Sequence, residues 1–261
     1  MILDALRTLL CLGFFVYASW RDYKTREVSN KVWMIFGPLA LTLTTIQFVL
    51  FTPELLSTYI LSFAITSVLG VAIFYSGGFG GADAKALICL SLALPVYPDH
   101  LLQQARLISP LFPITVFTNA VLFAALSVLY ALSRNLLWKV KTGNALFDGY
   151  RDESVGRRVL TLLCGYKLKL SELEKREHIY PLEDVVEDKA GQKQRRLLVF
   201  PRDEERGEIV DRLLATKETG KPEGDVFVTP GLPMLIFVTI GLIVALTHGN
   251  VVWILLRLLM M

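Results

Sequence analysis

The chain is 261 residues long, 53% hydrophobic, and carries a formal net charge of +3. A soluble domain of this length rarely runs so apolar, and so small a net charge gives no footing for a nucleic-acid partner. The charges are segregated: 18 of the 27 Lys/Arg and 18 of the 24 Asp/Glu lie between Lys139 and Asp225, which predicts a membrane protein with one water-soluble segment.

A helix crosses the hydrocarbon layer in about 20 apolar residues. Residues 2–20 are the first candidate. Asp4 in the short N-terminal region and the cationic cluster after the run argue for a span rather than a cleavable secretory signal. Residues 32–51 and 55–75 are the second and third candidates. Residues 84–96 are apolar but short, and reach span length only by extending upstream through glycines. Residues 111–138 make the fifth and 232–247 the sixth. The run 251–261 is too short to cross alone; it either prolongs the sixth helix or lies in the interface.

Short-loop Lys and Arg set the orientation. Arg21, Lys24, Arg26 and Lys31 lie between the first two spans, the next loop has neither residue type, and the charge-rich segment follows the fifth span. Six alternating spans then put residues 21–31, residues 76–83 and the soluble segment on the cytoplasmic side. The predicted fold is an all-α polytopic membrane protein of about six transmembrane helices, with a small α+β cytoplasmic domain inserted before the last span. Its parts are a transmembrane core over 1–138 with about five spans, a cytoplasmic domain over 139–225, and a C-terminal membrane segment over 226–261.

Within the soluble segment, 152–163 has helical spacing with Gly165 as its stop. Ser171 and Glu174 match a capping box. Residues 178–187 and 193–200 flank a turn at Gly191, which predicts a hairpin. Ile209, Val210, Leu213 and Leu214 share one face of a helix over 204–215. There is no phosphate-binding loop and no basic patch interleaved with aromatics, so this segment reads as an accessory domain. Cys11, Cys89 and Cys164 form no C-x-x-C pair, and His100, His178 and His248 are scattered. The sequence therefore predicts no metal site and no cofactor.

Chemistry is sought in the apolar part, where an ionisable side chain costs about 2.5–3.5 kcal/mol to insert. Six acids lie outside the charged segment: Asp4, Asp22, Glu27, Glu54, Asp83 and Asp99. Four have solvated positions at helix ends or loops. Asp22 follows the first apolar run by a fraction of a turn, and Asp83 sits among Gly77, Gly78, Gly80 and Gly81, where the next run begins. Both belong at the cytoplasmic boundary. The plain reading is a pair of helix-boundary caps; the functional reading is a pair of carboxylates acting on one water. Lys85 is read as snorkelling to the interface, with tuning of the acids or pairing with a substrate acid as the functional alternatives.

The stretch 19–30, with Asp22 ending a span and Val28-Ser29-Asn30 opening the next, resembles the first segment of type IV prepilin peptidases. Gly80-Gly81-Ala82-Asp83, followed by Lys85, resembles that family's G-x-G-D segment, and residues 229–233 are similar to the C-terminal part of its archaeal preflagellin and prepilin branch. The resemblance implies a membrane aspartic endopeptidase with Asp22 and Asp83 catalytic, and Gly80, Gly81, Ala82 and Lys85 shaping the site or binding substrate. It implies no metal and no cofactor. It further implies a plasma-membrane protein with a cytoplasmic active site, cleaving short leaders from pilin-like or archaellin precursors that carry an apolar N-terminal helix. The family's second glycine is Ala82 here, a residue that resists a left-handed backbone. The alternatives are a presenilin or signal-peptide-peptidase type of intramembrane protease, and a proton- or cation-coupled transporter using the same acids.

Overall fold

The structure, a computed structural model, describes residues 2–76, 80–98, 109–150, 152–176, 178–187, 193–198, 206–215, 224–231 and 233–260. The turn at Gly191 and the acid Asp99 lie outside the described residues. The chain divides into two compact units, Met1–Ala124 with Pro233–Met261, and Ala125–Leu232.

The first unit is helical. α1 (Ile2–Thr25), α2 (Asn30–Leu50), α3 (Leu56–Tyr75), α4 (Gly81–Ala93) and α5 (Phe112–Ala125) precede the second unit, and α10 (Met234–His248) and α11 (Val251–Met260) follow it. Among the described residues, four helices are long and apolar enough to cross a membrane: Ile2–Thr25, Asn30–Leu50, Pro53–Tyr75 and Phe112–Thr142. The pair α10 and α11, bent by 61°, makes a fifth if it is counted as one span. The remaining apolar segment, α4, has 13 residues. At 1.5 Å per residue it is about 20 Å long, against about 30 Å of hydrocarbon. α4 is instead the central helix, in contact with α1, α2, α3 and α10. Its small residues Ala84, Ala86 and Ala93 are buried, as are Leu87 and Leu90.

Close packing without a water-driven hydrophobic effect needs small residues at helix crossings. Gly241 on α10 is such a point: a Cβ there would lie 2.7 Å from the Val116 carbonyl oxygen and 2.9 Å from the Ala120 nitrogen of α5. The break between α10 and α11 falls at Gly249, whose φ of 78° suits glycine. Asn119 of α5 spans this break, its Nδ2 donating to the Gly249 carbonyl at 2.9 Å and its Oδ1 accepting from the Val251 N–H at 3.0 Å. Two of the main-chain groups freed by the bend are thus satisfied, as an apolar environment demands. Asp4 departs from its expected solvated position. It is 2% exposed, 3.4 Å from Arg7 and bonded at 2.8 Å by Gln47 Nε2.

The second unit opens with α6 (Ser127–Thr142) and α7 (Val155–Cys164). Ser154 caps α7, accepting from the Arg157 N–H, and Gly165 ends it. Then follow β1 (Tyr166–Lys169), α8 (Leu170–Glu174), β2 (Ile179–Pro181), β3 (Glu183–Glu187), β4 (Lys193–Leu197), α9 (Arg206–Ala215) and β5 (Asp225–Pro230). β1, β5 and β2 form an antiparallel sheet with β5 in the centre. β3 and β4 pair antiparallel with Glu183 opposite Leu197, the expected hairpin. Two local expectations are corrected. α8 begins one residue before Ser171 with Lys169 at its cap position, so Ser171 caps nothing. The strand expected over 178–187 is two strands, because β2 pairs with β5 and β3 with β4. Ile209, Val210 and Leu213 of α9 pack with Leu168, Leu173 and Val226 in one core. Beneath the sheet, Glu183 is fully buried and accepts from Tyr150 Oη, from Lys167 Nζ at 3.2 Å and from the Phe227 N–H at 2.6 Å.

Candidate active site

The apolar run of α1 ends at Trp20, but the helix continues to Thr25, so Asp22 projects from a helix. Exposed Tyr17, Trp20 and Tyr23 lie along one side of this end, and Lys24 Nζ lies 4.6 Å over the Trp20 ring. Aromatic and cationic side chains of this kind mark the headgroup level. Arg26 then takes φ 55°, the only non-glycine at positive φ among the described residues. Its N–H donates to the Asp22 carbonyl at 3.0 Å, and this left-handed residue turns the chain out of α1. Ser29 caps α2, accepting from the Lys31 N–H at 3.4 Å.

Asp83 occupies the third position of α4. Its Oδ2 accepts from the Gly80 N–H at 3.0 Å, and the Gly80 carbonyl accepts from the Asp83 and Ala84 N–H groups at 3.1 and 3.2 Å. The carboxylate therefore sits at the positive end of the helix dipole, held by the backbone that precedes it. Gly80 is extended, with φ −71° and ψ 159°. Ala82 lies within α4 and outside the positive-φ set, so the alanine at the family's glycine position meets no backbone penalty. Gly81 opens α4, where an added Cβ would meet only Phe74 Cε2 at 3.6 Å. Lys85 is exposed, and rather than only snorkelling it donates to Asn30 Oδ1 at 2.7 Å, joining the start of α4 to the start of α2.

Asp22 and Asp83 line one open cavity of about 550 Å³, walled by the turn over 26–30 on one side and by 80–82 on the other. The Arg26 Nε at the cavity is buried without a hydrogen-bond partner. Among the described residues, no three His, Cys, Asp or Glu side chains gather in a way that could hold a metal ion.

The type IV leader peptidase family model matches residues 9–132, and the model of the archaeal peptidase A24 C-terminus, type II, matches residues 157–251. Both stretches, in this order, cover the helical core with its two aspartates and most of the rest of the chain. The chain belongs to the archaeal branch of the type IV prepilin peptidase family. It is a protease and a membrane protein, and the aspartic type fits the family. Similar proteins include the preflagellin peptidase of Methanococcus maripaludis (strain C6 / ATCC BAA-1332), 26% identical over 247 residues, covering 92% of this chain and 93% of the relative. The preflagellin peptidase of Methanococcus voltae is 33% identical over 138 residues, 50% of this chain and 58% of the relative. That of Methanocaldococcus jannaschii is 29% identical over 170 residues, 62% of this chain and 67% of the relative.

In this archaeal family member, α10 reaches the candidate site in a way that local sequence did not reveal. The Leu235 N–H, one of the unpaired donors in the first turn of α10, donates to Asp22 Oδ2 at 3.3 Å. One turn further inside, Ser19 Oγ bonds the Leu235 carbonyl at 2.8 Å and Thr239 Oγ1 at 2.6 Å, and Thr239 Oγ1 reaches the Phe15 carbonyl at 3.2 Å. The available signal was a Thr inside an apolar run, paired with a Ser three residues before the aspartate.

Proposed function

We propose that this chain is a membrane-embedded aspartic endopeptidase in which Asp22 and Asp83 act together on one water. It would remove short N-terminal leaders from archaellin or type IV pilin-like precursors at the cytoplasmic face. The observation that carries this reading is the shared cavity: two aspartates 61 residues apart in sequence face the same open space.

Two neighbouring carboxylates share a proton and titrate as a unit. The ionised member takes a proton from water as that water attacks the scissile carbonyl. The protonated member polarises the carbonyl oxygen and then donates to the leaving amine. Gly80, Gly81 and Ala82 leave room for an extended substrate backbone beside Asp83, and the Lys85–Asn30 bond holds the two motif segments together. The apolar helix of the precursor lies against the spans and presents its boundary to the cavity. The aromatic residues of α1 at the level of Asp22 support a boundary cut over the mid-membrane cut of presenilin-like enzymes.

In the proposed topology, α4 is a short sixth crossing that need not match the full hydrocarbon thickness, because α1, α2, α3 and α10 pack around it. Residues 21–31, the site, and a soluble domain over 139–225 face the cytoplasm, between a membrane core over 1–138 and a C-terminal membrane segment over 226–261. Purified protein and a membrane-inserted archaellin precursor test the chemistry. Asp22→Asn and Asp83→Asn should each abolish leader removal while keeping wild-type thermal stability, and full processing by either variant overturns the dyad.

A further inference from the structure

α7 is the most amphipathic of the described helices, yet its apolar side is uncovered. Val155, Val159, Leu160 and Leu163 are 73%, 47%, 43% and 36% exposed, whereas Thr161 is 2% exposed. The four apolar positions, at i, i+4, i+5 and i+8, share one face. A helix on a water-soluble domain turns such a face inward, and this one turns it outward.

The position of α7 along the chain says what covers it. α7 packs on α6. Its end is pinned there by Asn135, whose Nδ2 donates to the Gly165 carbonyl at 2.8 Å and whose Oδ1 accepts from the Lys167 N–H at 3.1 Å. α6 is the second half of the apolar helix Phe112–Thr142. The first charged residue after Phe112 is Arg134. Since about 20 residues cover the hydrocarbon, residue counting puts Asn135 where the hydrocarbon ends. Trp138, one turn past Asn135, marks the same level, and the Arg134 guanidinium lies 4.5 Å over the Tyr166 ring. Lys139 and Lys141 follow in the last turn of α6, so this level is cationic and suits anionic headgroups.

We propose that α7 lies in the lipid interface as an amphipathic anchor of the second unit. Val155, Val159, Leu160 and Leu163 sit among the upper acyl chains, and Arg157 reaches the headgroups. The occupant of the face is therefore lipid, continuous with the lipid around the span Phe112–Thr142. The assignment requires only that this helix crosses the membrane and does not depend on which residues are catalytic.

The test uses full-length protein reconstituted into vesicles of phosphatidylcholine and phosphatidylglycerol. Cys164 is exposed while Cys11 and Cys89 are buried, so an environment-sensitive fluorophore can be moved from position 164 to position 159 in a Cys164→Ser, Val159→Cys variant. A label at 211 on α9, through Asp211→Cys, serves as the aqueous reference. The label at 159 should emit to the blue of that at 211. Nitroxide-bearing lipids should quench it several-fold more strongly than iodide does, and the label at 211 should show the reverse. Iodide quenching at 159 equal to that at 211 overturns the proposal. So does energy transfer or a disulfide between two copies through position 159, which would show a protein surface on the face instead of lipid. Because the fluorophore reports on folded protein with the rest of α7 intact, no loss-of-fold variant is needed.

Discussion

A single methyl group at Gly80 tests how Asp83 is held. The Gly80 N–H donates to Asp83 Oδ2 at 3.0 Å, and a Cβ built on Gly80 would lie 3.3 Å from that same oxygen. The backbone angles of Gly80, φ −71° and ψ 159°, suit alanine, so Gly80→Ala introduces no main-chain strain. The whole cost falls on the carboxylate, which must withdraw by a few tenths of an ångström, as a fraction of the hydrogen bond is lost. A hydrogen bond to a charged group contributes about 1.5–3 kcal/mol. Losing about half of it raises the barrier by roughly 0.8–1.5 kcal/mol, or about four- to twelvefold in rate. Gly81→Ala is the comparison, since its Cβ makes only an ordinary contact with Phe74. It should cost less than Gly80→Ala. The assay is kcat/KM for leader removal from a membrane-inserted archaellin precursor, with thermal unfolding as the control for fold. A wild-type rate for Gly80→Ala beside a failing Gly81→Ala would refute the reasoning, because the glycines would then serve substrate access and not carboxylate placement.

Three other outcomes follow from the packing. Asn119→Leu strips the Gly249 carbonyl and the Val251 N–H of their partner at the 61° bend; at about 1–3 kcal/mol for each stranded group, the unfolding midpoint in detergent should fall, and an unchanged midpoint would show that the bend reorganises freely. Ser19→Ala with Thr239→Val forms a double-mutant cycle on the bonds joining α1 to α10 beside Asp22, expected to show a coupling of about 0.5–3 kcal/mol in leader-cleavage free energy; strict additivity would detach this network from the site. Burial already holds the Lys167 ammonium below the usual lysine range, and Glu183→Gln removes its buried counter-charge at 3.2 Å. This should destabilise the protein by about 3–5 kcal/mol, with partial recovery on adding Lys167→Met; no recovery in the double variant would mean that the stranded ammonium is not the source of the loss.

The spans were legible because bilayer thickness dictates run length, and α1, α2 and α3 end within a few residues of the apolar runs that predict them. Asp22 and Asp83 stood out as candidates because charge is scarce in those runs and because their flanking residues match a family pattern. Ala82 was not readable in isolation. Whether alanine is tolerated depends on whether position 82 lies in the turn or in the helix, and that boundary is set where Asp83 reaches back to the Gly80 N–H. Contacts between distant segments were hidden for a different reason: the Leu235 N–H meets Asp22 across 213 residues, and no local periodicity encodes that pairing. Asp4 shows the same limit, since its Gln47 partner lies 43 residues away and turns an apparent solvated helix start into a buried polar contact.

α7 shows a third kind of limit. Hydrophobic periodicity identifies an amphipathic helix but carries no sign, because it cannot say which medium each face meets. Counting charges over 139–225 made the whole segment read as water-soluble, and under that reading Val155, Val159 and Leu163 belong to a core. In the structure the buried position is Thr161, and the three apolar side chains point away from it. The inversion is the informative feature. A polar residue turned inward and a branched aliphatic stripe turned outward is what helices surrounded by lipid show, and here it occurs at the depth where Arg134 and Trp138 already mark the end of the hydrocarbon. The membrane interface thus accounts for both the sequence pattern and the exposure, which a solvated accessory domain does not.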